Sequence, residues 1–562
     1  MPEPSHPQRI LVCVAWPYAK SATHVGQIVG SILPGDIFAR YWRMRGGDVL
    51  MISGSDMHGT PITVDADREG VTPRDLATRY HRQIVDLLDR LGVGFDLYTE
   101  TTTANHAQRT QEFFLRLLER GFVFKDQMDS PYCPHDRRFL PDRYVEGTCP
   151  YCGYESARGD QCDNCGRTLD PTQLLAPHCR LCGRPDVEIR ATEHFFFDLP
   201  KFEQPLRAWL LANKDHWRPN ALNFALNWLK EGLRPRAITR DLDWGVPIPL
   251  PGYEDKRIYV WFDAVIGYYS ASIEWAARRG EPDAWRRWWV QPPGQPAPSR
   301  SYYFIGKDNI AFHTIFWPAM LLGFGGLTLP YDVPANEFMT MGGSKASASR
   351  GNVIWTGDVL DRYGADPLRY YLASVLPEGR DTAFIAHELV RRNNDELVAA
   401  YGNAAHRVLT FIQRHFAGRV PSPGPLAPAD TAMLDAVTRA FAEVGAAIEA
   451  VHLRDGLSGA MALARAANRY LDERAPWKVI RLDPQRAATT MYVMLHVLAA
   501  LKTLFAPYLP FSSQRLHELL GQPGLAASAP WRPEQIPAGH PLPSPTPLFA
   551  KFDPASDTEQ AP

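Results

Sequence analysis

Seven of the eight cysteines lie between Cys133 and Cys182, and six of those seven form three Cys-x-x-Cys pairs. Such a cluster is either cross-linked by oxidation or closed around a metal. Residues Met1 to Arg9 are polar and contain no apolar run of the secretory type, which predicts a reducing compartment and metal binding. Cys149-Pro150-Tyr151-Cys152 and Cys162-Asp163-Asn164-Cys165 are separated by nine residues, a spacing that offers four thiolates to one tetrahedral zinc. Cys179 and Cys182 supply two thiolates to a second set, and Cys133 a third. Either His135 or Asp136 completes it: imidazole is the commoner ligand, while Asp136 takes the place of a second knuckle cysteine. Neither set leaves an obvious open coordination position, so both read as structural.

At roughly 150 residues per domain, a chain of 562 residues predicts three to four domains. With 45% hydrophobic and 22% charged residues, disorder as the main state is excluded. Sixty Lys and Arg against 62 Asp and Glu leave a net charge of −2. That excludes a uniformly basic coat and a polybasic membrane anchor, and leaves room for a local basic face. The apolar stretch Met491 to Phe511 is broken by His496, Lys502, Pro507 and Pro510, and reads as the core helix of a bundle instead of a membrane span. The chain thus reads as a cytoplasmic protein with no membrane partner.

Around the cysteines the texture is α/β. Ile10 to Trp16 reads as a strand, 26–45 as a helix and Val49 to Ile52 as a second strand, a βαβ unit whose loops meet at the carboxyl edge of a parallel sheet. Helical patterns follow at 73–91 and 105–120. From about Phe122 some 120 residues hold turns and cysteines with no long amphipathic helix. The α/β texture resumes at Ile258 to Phe262 and at Ser301 to Ile305, so the cysteine-rich part reads as an insertion. Beyond Ala386 the pattern is helical: Leu434, Val437, Phe441, Val444, Ile448 and Val451 make an apolar stripe. After Gly521 a proline-rich tail is expected to run extended along the bundle.

Three segments suit phosphate or small-molecule chemistry. His24 and Gln27 flank Gly26 where a loop opens a helix, a place that offers N–H groups and positive potential to a phosphate, with Gly26 open to a flat base. Gly342 to Asn352 is a small-residue loop with two cations, Lys345 and Arg350. An aromatic group comprises Tyr259 to Tyr268, including Trp261, and later Phe304 to Asn309 with His313. Each alone has a plainer reading as a capping residue, a solvated loop or core.

Together and in order, these segments resemble methionyl-tRNA synthetases of the zinc-knuckle form, from about Arg9 to Phe552. The resemblance includes Phe139 to Cys149 (Phe-Leu-Pro-Asp-Arg-Tyr-Val-Glu-Gly-Thr-Cys), Glu193-His194-Phe195-Phe196 and Ala475-Pro476-Trp477. It implies a divided Rossmann-type catalytic domain (1–121 and 246–335) around a knuckle insertion (122–245), a mobile-loop and stem-contact region (336–385), a helical anticodon-binding domain (386–520) and the tail (521–562).

By this resemblance His24-Val25-Gly26-Gln27 takes the family's His-Ile-Gly-His position, and Lys345-Ala346-Ser347-Ala348-Ser349 that of Lys-Met-Ser-Lys-Ser. His24, Gly26, Gln27, Asp308, Lys345, Ser347 and Ser349 would hold ATP with its Mg²⁺, and His24, Gln27, Lys345 and Arg350 would serve catalysis. Methionine would sit among Trp16, Tyr18, Trp261, Ala264, Val265, Tyr268 and His313, with its ammonium on Asp56 and Arg240 in support. Asn403, Arg407 and Trp477 would read the anticodon of tRNA(Met), in a region where Arg454 to Arg481 hold six Lys/Arg and three Asp/Glu.

Two positions depart from the family. Gln27 replaces a histidine and cannot carry charge. Ala348 replaces a lysine that the family turns toward pyrophosphate, and loss of one such group costs about 3 kcal/mol, roughly a hundredfold in rate. They motivate the alternative of a weakly catalytic or non-catalytic paralogue. A proline-rich tail after the bundle, with no resemblance to the family's C-terminal dimerising barrel, leads to the expectation of a monomer.

Overall fold

Every residue from Ile10 to Val14 is apolar, as suits a strand covered on both faces. The computed structural model describes residues 8–553 except 163, 166, 168, 213, 293, 342–343 and 346–352. In it five parallel strands form one sheet: β1 (Arg9–Val14), β2 (Asp48–Ser55), β3 (Leu97–Glu100), β4 (Arg300–Gly306) and β5 (Ala335–Asn336), in the order β5-β4-β1-β2-β3. The order reverses between β1 and β4, so a crevice opens beyond their carboxyl ends. Ile10, Val12 and Val14 belong to the core under the helix Leu33–Met44, and Leu11 and Cys13 to the opposite core under the helix Val260–Arg278. A Cβ at Gly35 would stand 2.6 Å from Val14 Cγ2, so glycine lets the first helix lie directly on β1.

The chain leaves this sheet after the helix Ala104–Glu119. Val123–Cys133 then pairs antiparallel with Glu188–Phe197, from Val123↔Phe197 to Tyr132↔Glu188. At its far end the cysteines surround a small sheet of Val145–Thr148, Ala157–Arg158 and Leu175–Cys179. Contrary to expectation, the insertion also holds the helices Glu203–Leu211 and Pro219–Glu231. The second hides its stripe well: small Ala221 and Ala225 with Leu229 are buried at spacing four, while Phe224 is 45% exposed. The run at Ile258 to Phe262 is a two-residue strand, Arg257–Ile258, followed by the 19-residue helix from Val260.

Pro428–Glu449, Leu453–Arg474 and Pro484–Phe505 make the centre of the helical part. Val437, Phe441, Val444, Ile448 and Val451 are buried, as the stripe predicts. Among the described helices Pro484–Phe505 alone is long and apolar enough to cross a membrane, and it is buried in the bundle as its core helix. The tail packs back: Val420 N–H donates to the His540 carbonyl at 3.0 Å, and Trp531 N–H to that of Met44 at 2.9 Å.

One fully buried ion pair ties the two parts. Arg369, on the helix Ala365–Ser374, reaches Asp36 on the helix Leu33–Met44 at 2.5 Å, both side chains having no exposure. The guanidinium also donates to the carbonyls of Tyr508 (2.8 Å), Pro507 (3.1 Å) and Leu91 (3.3 Å). Asp36 accepts from Arg40 Nε (2.9 Å) and Gly94 N–H (2.9 Å). Burial pushes this carboxyl up, but Arg40 and Arg369 outweigh it and hold the acid below its ordinary range. Arg369→Ala should cost about 3–5 kcal/mol, because it strands a buried carboxylate, whereas Asp36→Leu with Arg369→Met should recover most of that; urea unfolding checks both.

Candidate active site

The loop after β1 is clamped across the crevice. Ala15 N–H donates to the Phe304 carbonyl (3.0 Å), Asp56 N–H to that of Pro17 (2.8 Å) and Ala19 N–H to that of Asp56 (2.9 Å). This holds Trp16 and Tyr18 between the ends of β4 and β2. The Trp16 indole lies in a slot made by two glycines: a Cβ on Gly54 would run into its ring, and one on Gly267 would stand 2.7 Å from it.

Trp261, Ala264, Val265 and Tyr268 share one face of the helix Val260–Arg278, at i, i+3, i+4 and i+7. Tyr268 meets Trp16 edge-on with centroids 6.5 Å apart, and Trp261 meets Phe312 at 4.8 Å. His313 Nδ1 lies 2.9 Å from the Asn309 carbonyl, so Nδ1 carries the proton and Nε2 accepts from the Tyr268 hydroxyl at 2.8 Å. Burial pushes this imidazole down to about 4. His313 sits in a π-helical stretch, Phe312–Phe316, and another, Ile28–Ile32, follows Gln27. Asp56 is buried at the floor; among the described residues its carboxyl accepts only the His58 N–H (3.1 Å), and no cation pairs with it. Burial first, then the charge of Asp263, raises its carboxyl well above the ordinary range. Arg240 supports the floor from outside, 3.5 Å from Asp142 and stacked 3.8 Å over Tyr259.

A buried network behind this pocket escaped the sequence reading. Asp263 accepts from His58 Nδ1 (2.6 Å) and from His106 Nε2, and His106 Nδ1 meets Ser270 Oγ at 2.8 Å. Burial would raise Asp263, but His106 and His58 win and hold it below the usual carboxylate range. The available signal was one acid inside the apolar run Tyr259 to Tyr268.

On the other side of the loop, Val25 N–H donates to the Ile354 carbonyl (3.1 Å), Thr356 N–H to that of Thr23 (3.0 Å), and His24 bridges Trp355. The far end of the small-residue loop is thereby fastened beside His24. Its near end is the backbone of Ser344–Lys345, paired with Met339–Met341. Ser347, Ala348, Ser349 and Arg350 lie outside the described residues. Gln27 Oε1 accepts the His24 N–H at 3.0 Å, so it caps the first turn. Asp308 is exposed just past β4, where Asn309 Nδ2 donates to it at 3.3 Å.

The knuckles form two closed clusters in which the ligand atoms all lie within 4.8 Å of one another. In one, Cys149 and Cys165 sulfurs are 3.9 Å apart and those of Cys152 and Cys162 3.6 Å. A tetrahedron with bonds of about 2.3 Å has edges of about 3.8 Å, so the thiols fit a zinc-sized ion. In the other, Cys133 and Cys182 are 3.7 Å apart and Asp136 Oδ2 lies 3.3 Å from Cys133 and 3.0 Å from Cys179. The structure thus corrects His135 as fourth member of the set: its Nδ1 meets the outer oxygen of Asp136 at 3.0 Å. The Cys-x-x-Asp turn points position 136 inward and position 135 out.

In the helical part Arg407 stacks 4.7 Å over the Trp477 ring and pairs with Asp472 at 2.8 Å. Ala475, at φ 40°, breaks the helix before Pro476 and presents Trp477, which is 42% exposed. Asn403 is exposed one turn before Arg407.

Comparison with known proteins gives concordant matches. Residues 10–409 match the model for class I tRNA synthetases (M), and 420–561 that for the anticodon binding domain of methionyl tRNA ligase. A methionine–tRNA ligase of Roseiflexus castenholzii is 54% identical over 99% of this chain and 98% of its own. One from Thermomicrobium roseum is 52% identical over 97% of both. The chain belongs to the methionyl-tRNA synthetase family. The crystal structure of the Mycobacterium tuberculosis methionyl-tRNA synthetase bound by methionyl-adenylate superposes with a TM-score of 0.79 at 27% identity, covering 97% of this chain and 100% of that one. Its apo form gives 0.73 at 26% identity, over 98% and 99%. As a methionyl-tRNA synthetase the chain is a methionine–tRNA ligase, a Rossmann-type enzyme with a helical anticodon-binding part, acting on methionine, ATP and tRNA(Met).

In this synthetase His313 must stay neutral to accept from Tyr268. Its folded value lies below the unfolded one, so the unfolded chain binds the extra proton, and this group's contribution to stability falls as pH drops from about 6.5 toward about 4. Nitrogen-15 imidazole spectra should show one histidine in the Nδ1–H form from pH 8 to 5, titrating only near 4.

Proposed function

We propose that methionine binds between Trp16 and His313 with its ammonium on Asp56, and that ATP lies across His24, Gly26 and Gln27 with Lys345 and the following loop over its phosphates. Asp56 carries this reading. A buried carboxylate without a cation is unfavourable, and an α-ammonium supplies the missing charge. Trp16, Tyr18, Trp261, Ala264, Val265 and Tyr268 surround the space a thioether would fill, since sulfur packs well on aromatic edges. The methionine carboxylate attacks the α-phosphorus of ATP in line and pyrophosphate leaves; a ribose hydroxyl of the tRNA terminal adenosine then attacks the adenylate. No protein nucleophile is needed, only positioning and positive charge where oxygen charge gathers. Mg²⁺ arrives with ATP and shields its phosphates. His24, the Gln27 amide, Lys345 and Arg350 form this chain's own share, with Asp308, Ser347 and Ser349 at the nucleotide. Trp477 serves as a stacking platform for an anticodon base, with Arg407 and Asn403 at base edges. The enzyme works as a cytoplasmic monomer.

Methionine-dependent exchange of labelled pyrophosphate into ATP tests this. The wild type should exchange with methionine and not with leucine, isoleucine or valine, and Asp56→Asn should raise the methionine KM about a hundredfold with the ATP KM within threefold. Exchange that is indifferent to Asp56→Asn would remove the ammonium assignment.

Zinc is the ion both clusters suit, and as a structural cross-link it would hold the knuckles closed. Elemental analysis should find two zinc ions per chain, about one in Asp136→Ala and in Cys162→Ser, and two in His135→Ala.

A further inference from the structure

Pro34 stands just past the π-helical stretch Ile28–Ile32 and has no N–H to give. In that stretch the Leu33 N–H donates to the Ile28 carbonyl, five residues back, so the Val29 carbonyl loses its α-helical donor. Residue 34 would be the π-helical donor of Val29 and the α-helical donor of Gly30, and it is a proline. Two buried carbonyls next to the turn His24–Gln27 therefore need a donor from elsewhere in the fold. Asn336, at the end of β5, supplies it. Its Nδ2 donates to the Val29 carbonyl at 3.1 Å and to that of Gly30 at 3.0 Å, and the residue is 1% exposed. The amide is itself held. Arg218, the residue before the helix Pro219–Glu231, donates through Nη1 to Asn336 Oδ1 at 2.5 Å and to the Ala335 carbonyl at 3.2 Å. With a cation on its oxygen, the amide can only turn its nitrogen to the two carbonyls. Arg218 in turn is fixed from the bundle side. Its Nη2 donates to the Val451 carbonyl at 3.0 Å, and Glu378 stands 3.9 Å away while accepting the N–H groups of Leu453 (2.7 Å) and Arg454 (3.3 Å).

We propose that Asn336 and Arg218 are positioning residues for adenylate formation: by clamping the carbonyls of Val29 and Gly30 they fix the turn from which His24, Gly26 and Gln27 meet ATP. Both act through the backbone of that turn instead of by touching substrate. A displacement of about 1 Å at reacting groups is worth on the order of a hundredfold in rate, so a clamp this close to the turn bears on kcat. The place of ATP rests on the ligase reading; the clamp on the π-helical stretch does not.

Zinc-loaded full-length wild type is compared with Asn336→Asp, Arg218→Gln and Arg218→Lys. Asn336→Asp keeps the size and the acceptor for Arg218, but sets an oxygen against two carbonyl oxygens. It should lower the kcat of methionine-dependent pyrophosphate exchange about thirtyfold, with the calorimetric methionine Kd within threefold of wild type. Arg218→Gln should lower kcat about fivefold with the same split, and Arg218→Lys should return it to within twofold. A kcat within twofold of wild type in Asn336→Asp of unchanged melting temperature would overturn the proposal. So would a matching loss of kcat and methionine affinity, which is what general damage to the fold gives. If Asn336→Asp does not fold, the two Arg218 variants decide by the same criteria. Should the wild type show no methionine-dependent exchange, the ligase reading fails separately. Backbone hydrogen–deuterium exchange then decides the clamp: residues 24–33 should exchange about tenfold faster in the folded variant, with 97–119 unchanged, and equal protection of 24–33 overturns it.

Discussion

Asp36 and Arg369 meet without exposure to solvent, and the rest of the molecule is arranged around that contact. Asp36 stands on the helix that begins beside His24 and covers β1. Arg369 fans its remaining N–H groups onto carbonyls at 91, 507 and 508, which belong to the end of a sheet-covering helix and to the turn after the core helix of the bundle. Attraction across such a pair is largely offset by the cost of stripping water from both ions. What it adds is direction: a planar fork with its acceptors fixed allows one mutual placement of catalytic sheet and helical bundle, where apolar side chains alone would allow sliding.

Two carboxylates beside the same pocket, Asp56 and Asp263, illustrate how surroundings assign roles. Asp263 has two imidazoles and stays ionised, a settled anion that orients His58 and, through His106 and Ser270, the backbone at Gly267 beside the Trp16 ring. Asp56 has one backbone N–H and no cation, and so remains unsatisfied. The first is scaffold; the second is the part of the floor that a charged substrate completes. Shape follows the same division, since the slot for Trp16 depends on side chains that are missing at 54 and 267.

Much of this was legible in the sequence. Apolar runs and helical spacing marked β1, β4 and the helices at 73–91 and 104–119 to within a residue or two and β2 to within three, and the knuckle spacing marked the cluster of Cys149, Cys152, Cys162 and Cys165. The helix at 219–231 was not legible, because alanines form its buried stripe and its larger apolar residues face outward. Spacing could not choose between His135 and Asp136, since adjacent positions of a turn point in opposite directions and only the fold says which is inward. Asp263 stands out in the sequence only as one acid in an apolar run, and acquires its meaning when His58, more than two hundred positions away, comes to it. The π-helical stretches at 28–32 and 312–316 have no sequence signature, yet one follows Gln27 directly and the other contains His313.

The return of the tail sets an order on how the molecule can be completed. The Trp531 ring stands edge-on to Tyr41 at 4.8 Å and the Trp531 backbone N–H holds the last turn of the helix Leu33–Met44, while Asn393 and Asn394 hold the carbonyls of Ala550 and Phe552. The first helix of the catalytic sheet is therefore finished by residues nearly five hundred positions later. During synthesis the earliest part of the chain to emerge waits, with its outer face uncovered, for the part that emerges last.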